Sequence, residues 1–321
     1  MRPGCLPLFC LLCVSTVSVF AASVFAAEVS SPRHAVIAAD KGHIYRFDEN
    51  GKVVWSYDLK SSIHCFQMLP NGNLLTHQQF KQLIEIDPAG KIVWTYDSST
   101  ANGNAGQKLE VHTFQRLANG NTMIVENGVG RVIEVAPEGR LVKKFSLQVD
   151  HPDPHRDVRR AHQLPNGNVL ACQERDGKVV EYNSAGRVVW SYQVPLFGKA
   201  PQGGHGPEAF GNAVFNALRL PSGNTLIATG NGHSVIEVTP DREIVWQLHQ
   251  HDLPNITLAW VTTLEVLPNG NLIIGNCHAG PGQPQLIEVD RDKNVEWTFH
   301  DDQVLGNDTA ASGTLGAETL R

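Results

Sequence analysis

Positive charge is in deficit along this chain: 26 Lys and Arg stand against 32 Asp and Glu, with no long basic run. That balance excludes nucleic acid and anionic membrane surfaces as partners, since both demand clustered cations. Cysteine is sparse as well. Three of the six lie within the first 13 residues, leaving Cys65, Cys172 and Cys277, an odd number that allows one internal disulfide at most. Burial, not cross-linking, must therefore hold the fold. Familiar catalytic signatures are missing too. Neither a Gly-x-Ser-x-Gly elbow nor a His-Glu-x-x-His pair occurs, which removes the common hydrolase and metalloprotease motifs.

The first residues read as a targeting segment. Arg2 gives a positive start, Leu6 to Phe20 is mostly apolar, and Val24-Phe25-Ala26 suits cleavage before Ala27. Residues 1–26 are thus expected to be a secretory signal, too short for a stable membrane span. Residues 27–321 are expected to form one domain, exported to the periplasm or secreted. Removing the signal deletes one cation and no acid, so the remaining charge is 25 minus 32, or −7.

What the chain does have is a repeat. Leu-Pro-Asn-Gly-Asn, or a close variant, starts at Leu69, Leu117, Leu164, Leu220 and Leu267. A second phrase, Gly-Lys-x-Val-Trp-x-Tyr in outline, follows at Gly51–Tyr57, Gly90–Tyr96 and Gly186–Tyr192. Self-similarity at roughly 40–50 residues with several short strands per unit marks a propeller. Asn-Gly between alternating apolar runs predicts a hairpin, because Gly reaches positive φ without steric cost. Each unit then reads as four strands, A to D, with Asn-Gly between A and B and Asp-x-x-Gly between C and D. Trp55, Trp94, Trp190, Trp246 and Trp297 share one position on strand D, and Lys143 takes it in the third unit. These rings are expected to fill the gap between neighbouring sheets.

The first unit opens at strand B, with Ala35–Ala39. Its missing strand A is expected from the other end, because Leu305 to Leu315 aligns without gaps on Phe210 to Leu220. Residues 306–315 should therefore complete the first blade and remove the open sheet edges. The prediction is an all-β, six-bladed propeller with four antiparallel strands per blade. A Glu recurs on strand C (Glu85, Glu134, Glu181, Glu237, Glu288) and is read as a cross-strand or surface partner of the nearby Lys and Arg, not as a catalytic group.

The repeat sorts the loops by face. The B–C and D–A connections share one face, and the long insertions at Asp97–Lys108, Gln148–His155, Val194–Phe210 and His249–Leu258 all belong to it. Most of the 14 His fall there as well. His64, His112 and Arg159 occupy matching places early in the inner strands. Three chemistries fit this face. A ligand pocket at the channel mouth would use His162, His205, Asn216, His233, His251, Trp260 and His278 to take a small anionic or polyhydroxyl molecule, or to meet an extracytoplasmic protein. Catalysis would use His64 or His112 as base or nucleophile with Arg159 holding developing charge. A metal would find alternating ligand types at Asp150, His151, Asp153 and His155. Imidazoles that merely satisfy turn backbones remain the plain alternative. The sequence leaves the cofactor unknown.

The run Asp-x-x-Gly-Lys-x-Val-Trp-x-Tyr, placed with Leu-Pro-Asn-Gly-Asn, resembles the PQQ-like repeat (quinoprotein-like) propellers, whose blades carry a Trp docking motif. The likeness covers nearly the whole exported chain and implies the fold; it locates no quinone site. A second resemblance is to bacterial arylsulfotransferases, six-bladed periplasmic propellers that carry sulfuryl groups on a channel His. It implies that His64 or His112 would be the carrier and Arg159 its electrostatic partner.

Overall fold

The computed structural model describes residues 34–315 together with Met1, so the expected signal at 1–26 lies outside the described residues. Six four-stranded antiparallel sheets are present. Blade two runs Phe66–Met68, Leu74–Gln78, Gln82–Ile86, Ile92–Asp97, and blades three to six repeat that order. Blade one pairs Ala311–Leu315 with Ala35–Asp40, followed by His43–Phe47 and Val53–Asp58. The C-terminal strand closes the ring as expected, although only 311–315 of the anticipated 306–315 are extended.

The A–B turn departs from the two-residue form that Asn-Gly suggests. Leu69 N donates to Asn73 O and Gly72 N to Leu69 O, giving a longer loop in which Gly72 alone has positive φ, +81°. Asn71 stays at negative φ, and its Oδ1 accepts the N–H of Asn73 at 3.0 Å. The same side-chain turn recurs at Asn119, Asn166 and Asn269. The Asn is retained for this bond, the Gly for its φ.

Blade contacts form the core. Six apolar clusters each lie on one seam; that between blades five and six buries Leu226, Val235 and Leu248 against Val261, Ile274 and Ile287. At about 1.5–3 kcal/mol per fully buried aliphatic side chain, each seam outweighs any single hydrogen bond. The strand D tryptophans lock the seams. Nε1 of Trp94, Trp190 and Trp246 donates to a C–D turn carbonyl of the next blade at 2.7, 2.9 and 2.8 Å, while an arginine lies over each ring. The strand C glutamates correct the sequence expectation. Glu85 accepts from Asn73 of its own A–B turn at 2.6 Å and from Arg116 of the next blade at 2.9 Å, not from a Lys across the hairpin. Glu181 does the same with Asn168 and Arg219. Glu85 and Glu181 are inter-blade ties, whereas Glu134 accepts from Asn119 and Asn121 of its own blade.

Candidate functional site

Strand A leaves the B–C and D–A face and runs along the axis, so its first residues ring one mouth of the channel. There His64, His112 and Arg159 meet. Arg159 Nη1 donates to Nδ1 of His64 at 2.5 Å and to Nδ1 of His112 at 3.1 Å. The two Nδ1 atoms lie 3.0 Å apart, within reach of each other as well as of Arg159. A guanidinium only donates, so His64 Nδ1 accepts from Arg159 and its proton sits on Nε2, while the Glu110 carboxylate draws the His112 proton to Nε2. His112 Nε2 accordingly donates to Glu110 Oε2 at 2.7 Å, and His155 Nδ1 approaches the same oxygen at 2.8 Å. Arg159 is neutralised by Glu174, whose Oε2 accepts from Nε at 2.5 Å and from Nη2.

Phe80 roofs the group, its ring centroid 4.5 to 5.8 Å from those of His77, His64, His112 and His155. Gln79 and Phe80 both adopt positive φ, 52° and 55°, to bring it there. Two consecutive non-glycine residues in that region carry backbone strain, which the packing holds in place. His77 lies beneath, fully buried, with Nε2 accepting the backbone N–H of His64 at 3.1 Å. Burial, then the charge of Arg160, then that of Arg159, brings His77 down to about 3. Burial and Arg159 hold His64 and His112 well below the usual imidazole range. All three are neutral at physiological pH.

This arrangement constrains the chemistry. A nucleophilic or metal-binding imidazole needs a free lone pair, and both Nδ1 lone pairs are committed to Arg159. Glu110, His112 and His155 do converge, their ligand atoms within 4.8 Å of one another. His112 Nε2 and His155 Nδ1 both bond one oxygen of Glu110 there. Nε2 of His64 has no hydrogen-bond partner among the described residues, and His64 borders a groove of about 420 Å³. Lys41, Lys60, Ser61 and Ser62 line that groove, with Asp40 and Asp308 on the far side. Asp40 is occupied by Gly306 N, Asp308 N and Thr309 Oγ1.

The remaining sequence candidates divide into separate places. His205, Trp260 and His278 form one aromatic group, with His205 stacked on Trp260 at 5.3 Å and 5.1 Å from His278. His278 Nε2 lies 3.3 Å from Asp308, beside Cys277. His162 and Asn216 pair with each other at 3.0 Å, deeper in the channel. His233 is buried with both ring nitrogens against backbone oxygens, of Ala259 and Ala209, and so ties two loops. His251 borders a groove with Phe197, Lys199 and Phe210.

The run from Asp150 to His155 does not gather round one point. Asp150 pairs with Lys178, His151 with Asp176, Asp153 with Arg156 and Arg175, and His155 with Glu110. Cys65, Cys172 and Cys277 are buried free thiols, and burial pushes the last two up. Sequence reasoning missed Phe80, Glu110 and Glu174. Glu174 could have been found as the acid in the B–C connection of the blade that carries Arg159; Phe80 carries no such mark.

The family described as outer membrane protein assembly factor BamB matches residues 40–299. The chain belongs to this family. It is a PQQ-like repeat β-propeller, as the phrase around its tryptophans implies. No curated protein matches it. Among solved structures, a Bacteroides caccae protein of unknown function shares 21% identity at a TM-score of 0.71, covering 87% of this chain and 97% of that one. A virginiamycin B lyase from Staphylococcus aureus, inactivated by substitution and carrying quinupristin, shares 11% identity at a TM-score of 0.55, covering 85% of each chain. The WD40 propeller domain of Doa1 gives 14% identity and a TM-score of 0.53, covering 75% of this chain and 71% of that one. At such identities these likenesses concern the fold. Among the described residues no helix is long and apolar enough to cross a membrane.

Proposed function

We propose that this BamB-family propeller is an exported binding module whose channel mouth takes a small anionic or polyhydroxyl molecule in the groove beside His64. The groove carries the reading: two lysines, two serine hydroxyls and an imidazole N–H offer donors around one space of about 420 Å³. Arg159 fixes the His64 tautomer that makes Nε2 a donor. The BamB description and the targeting segment at the N-terminus support work outside the cytoplasm. Binding is favoured over sulfuryl transfer because the imidazole lone pairs that transfer needs are held by Arg159.

The test is thermal unfolding of the mature protein with a panel of sulfated aryl compounds, sugar acids and neutral sugars, repeated on Lys60→Ala and His64→Ala. A bound ligand raises the midpoint by mass action. Stabilisation by one class, lost in both variants, supports the groove. If no compound stabilises the wild type, or if the wild type turns over an arylsulfate, the reading fails.

A further inference from the structure

The inner strands are laced to one another by side chains at two repeating positions. Thr113 Oγ1 exchanges bonds with the backbone of Ala161, and Thr263 Oγ1 donates to Ser312 O at 2.8 Å. Two residues further on, Gln67 bonds the backbone of Arg116, Gln115 accepts from Gln163 N at 2.8 Å, and Glu265 accepts from Thr314 N and Oγ1. Blade four places Arg160 and His162 at these two positions. His162 turns to the Asn216 side chain, and Arg160 ties nothing.

Four arginines keep a buried Nε without a partner: Arg46, Arg116, Arg160 and Arg219. Three of them lie over a tryptophan and use their outer nitrogens on a carbonyl or carboxylate. The Arg160 guanidinium alone has no acceptor among the described residues. It lines an axial cavity of about 280 Å³ together with His162, Asn216, Glu265 and Thr314. A cation left unmatched in a recess is costly, and an acceptor is expected for it. Asn216, only 6% exposed, uses its Oδ1 on His162 and on Ala217 N, so its amide protons remain available. Glu265 brings the opposite charge to the same cavity, yet it forms no ion pair with Arg160; its described partner is Thr314.

We infer that the axial channel lined by Arg160 and His162 of blade four, Asn216 of blade five, Glu265 of blade six and Thr314 of blade one is a second site, distinct from the mouth groove, for a small zwitterionic carboxylate. Its carboxylate would take the planar fork of Arg160 and the Asn216 amide, and its ammonium would face Glu265. The fork suits a carboxylate bidentately. A dianion such as sulfate is disfavoured because Glu265 already supplies a negative charge. The volume falls below the roughly 300–1,000 Å³ of drug-sized pockets, so the occupant is small.

Calorimetric titration of the mature protein with 4-aminobutyrate, butyrate, butylamine and inorganic sulfate tests this. At this site the expected order is 4-aminobutyrate, then butyrate, with no Arg160-dependent binding of butylamine or sulfate. Arg160→Gln should weaken both carboxylates at least tenfold. Glu265→Gln should abolish the advantage of the zwitterion over butyrate. Asn216→Ala, which keeps the guanidinium, should weaken both carboxylates severalfold and serves if Arg160→Gln does not fold. Lys60→Ala and His64→Ala should leave the Arg160-dependent carboxylate binding unchanged, and any heat they remove belongs to the mouth groove. Absence of any carboxylate binding that Arg160→Gln or Asn216→Ala weakens, sulfate binding through Arg160 as tight as butyrate, or loss of the Arg160-dependent binding in the mouth variants would each overturn the inference.

Discussion

Acid should unfold this propeller through its buried imidazoles, and His77 allows the effect to be sized. In the unfolded chain a histidine takes up its proton near pH 6.5. Folded His77 resists until about 3, because burial and the charges of Arg160 and Arg159 oppose the imidazolium. The sign follows: between those values the unfolded state binds more protons, so stability falls as pH falls. Each such group contributes a slope of about 1.4 kcal/mol per pH unit, and the full interval for His77 amounts to about 4–5 kcal/mol. His64 and His112 are shifted in the same direction and add to the slope. Asp157, Glu265 and Asp308, raised chiefly by burial, act in the opposite sense.

A comparison isolates His77 from those carboxylates. His77→Gln keeps an acceptor for the His64 N–H and cannot titrate. Urea unfolding at pH 6.5, 5.5 and 4.5 should show wild type losing about 1–1.4 kcal/mol more per pH unit than the variant. Equal slopes in the two proteins would refute the buried-neutral assignment, whatever the variant does to absolute stability.

Four further outcomes are expected. Glu174→Gln should destabilise by about 3–5 kcal/mol by leaving Arg159 buried and unpaired, and adding Arg159→Met should recover most of it in denaturant titrations. Trp94→Ala should cost about 2–4 kcal/mol, since it removes seam packing, the bond to Pro137 O and the ring beneath Arg116. Thr95→Ala on the exposed side of the same strand should stay within about 0.5 kcal/mol. Lys143→Trp should raise stability by about 1 kcal/mol in thermal scans, because Lys143 borders a small gap with Val132, Phe145 and Val169 where the other blades carry the ring. A lower midpoint would show that this seam has repacked without it.

The repeat carried much of the architecture in plain view. Blade number, the one-letter Trp position and the closing strand follow from patterns that recur within tens of residues. Even the misread parts were local in kind: Asn71 marks the turn correctly but serves it through its side chain, and Glu85 is structural but pairs with the next blade. The sequence also separated the two faces, and it put His64, His112 and Arg159 at matching positions.

What it could not show is which groups are already spent. Arg159 and His64 stand 95 residues apart, and their contact exists only because three blades meet at the axis. Once they meet, Glu174 cancels the charge, the tautomers are set, and the open donors pass to His64 Nε2 at the mouth and Arg160 inside the channel. Turns, alternation and repeat length are written in short stretches of chain, so the sequence by itself determined the ring. The protonation and availability of side chains depend on neighbours gathered by ring closure, so only the tertiary structure decided which donors stay open.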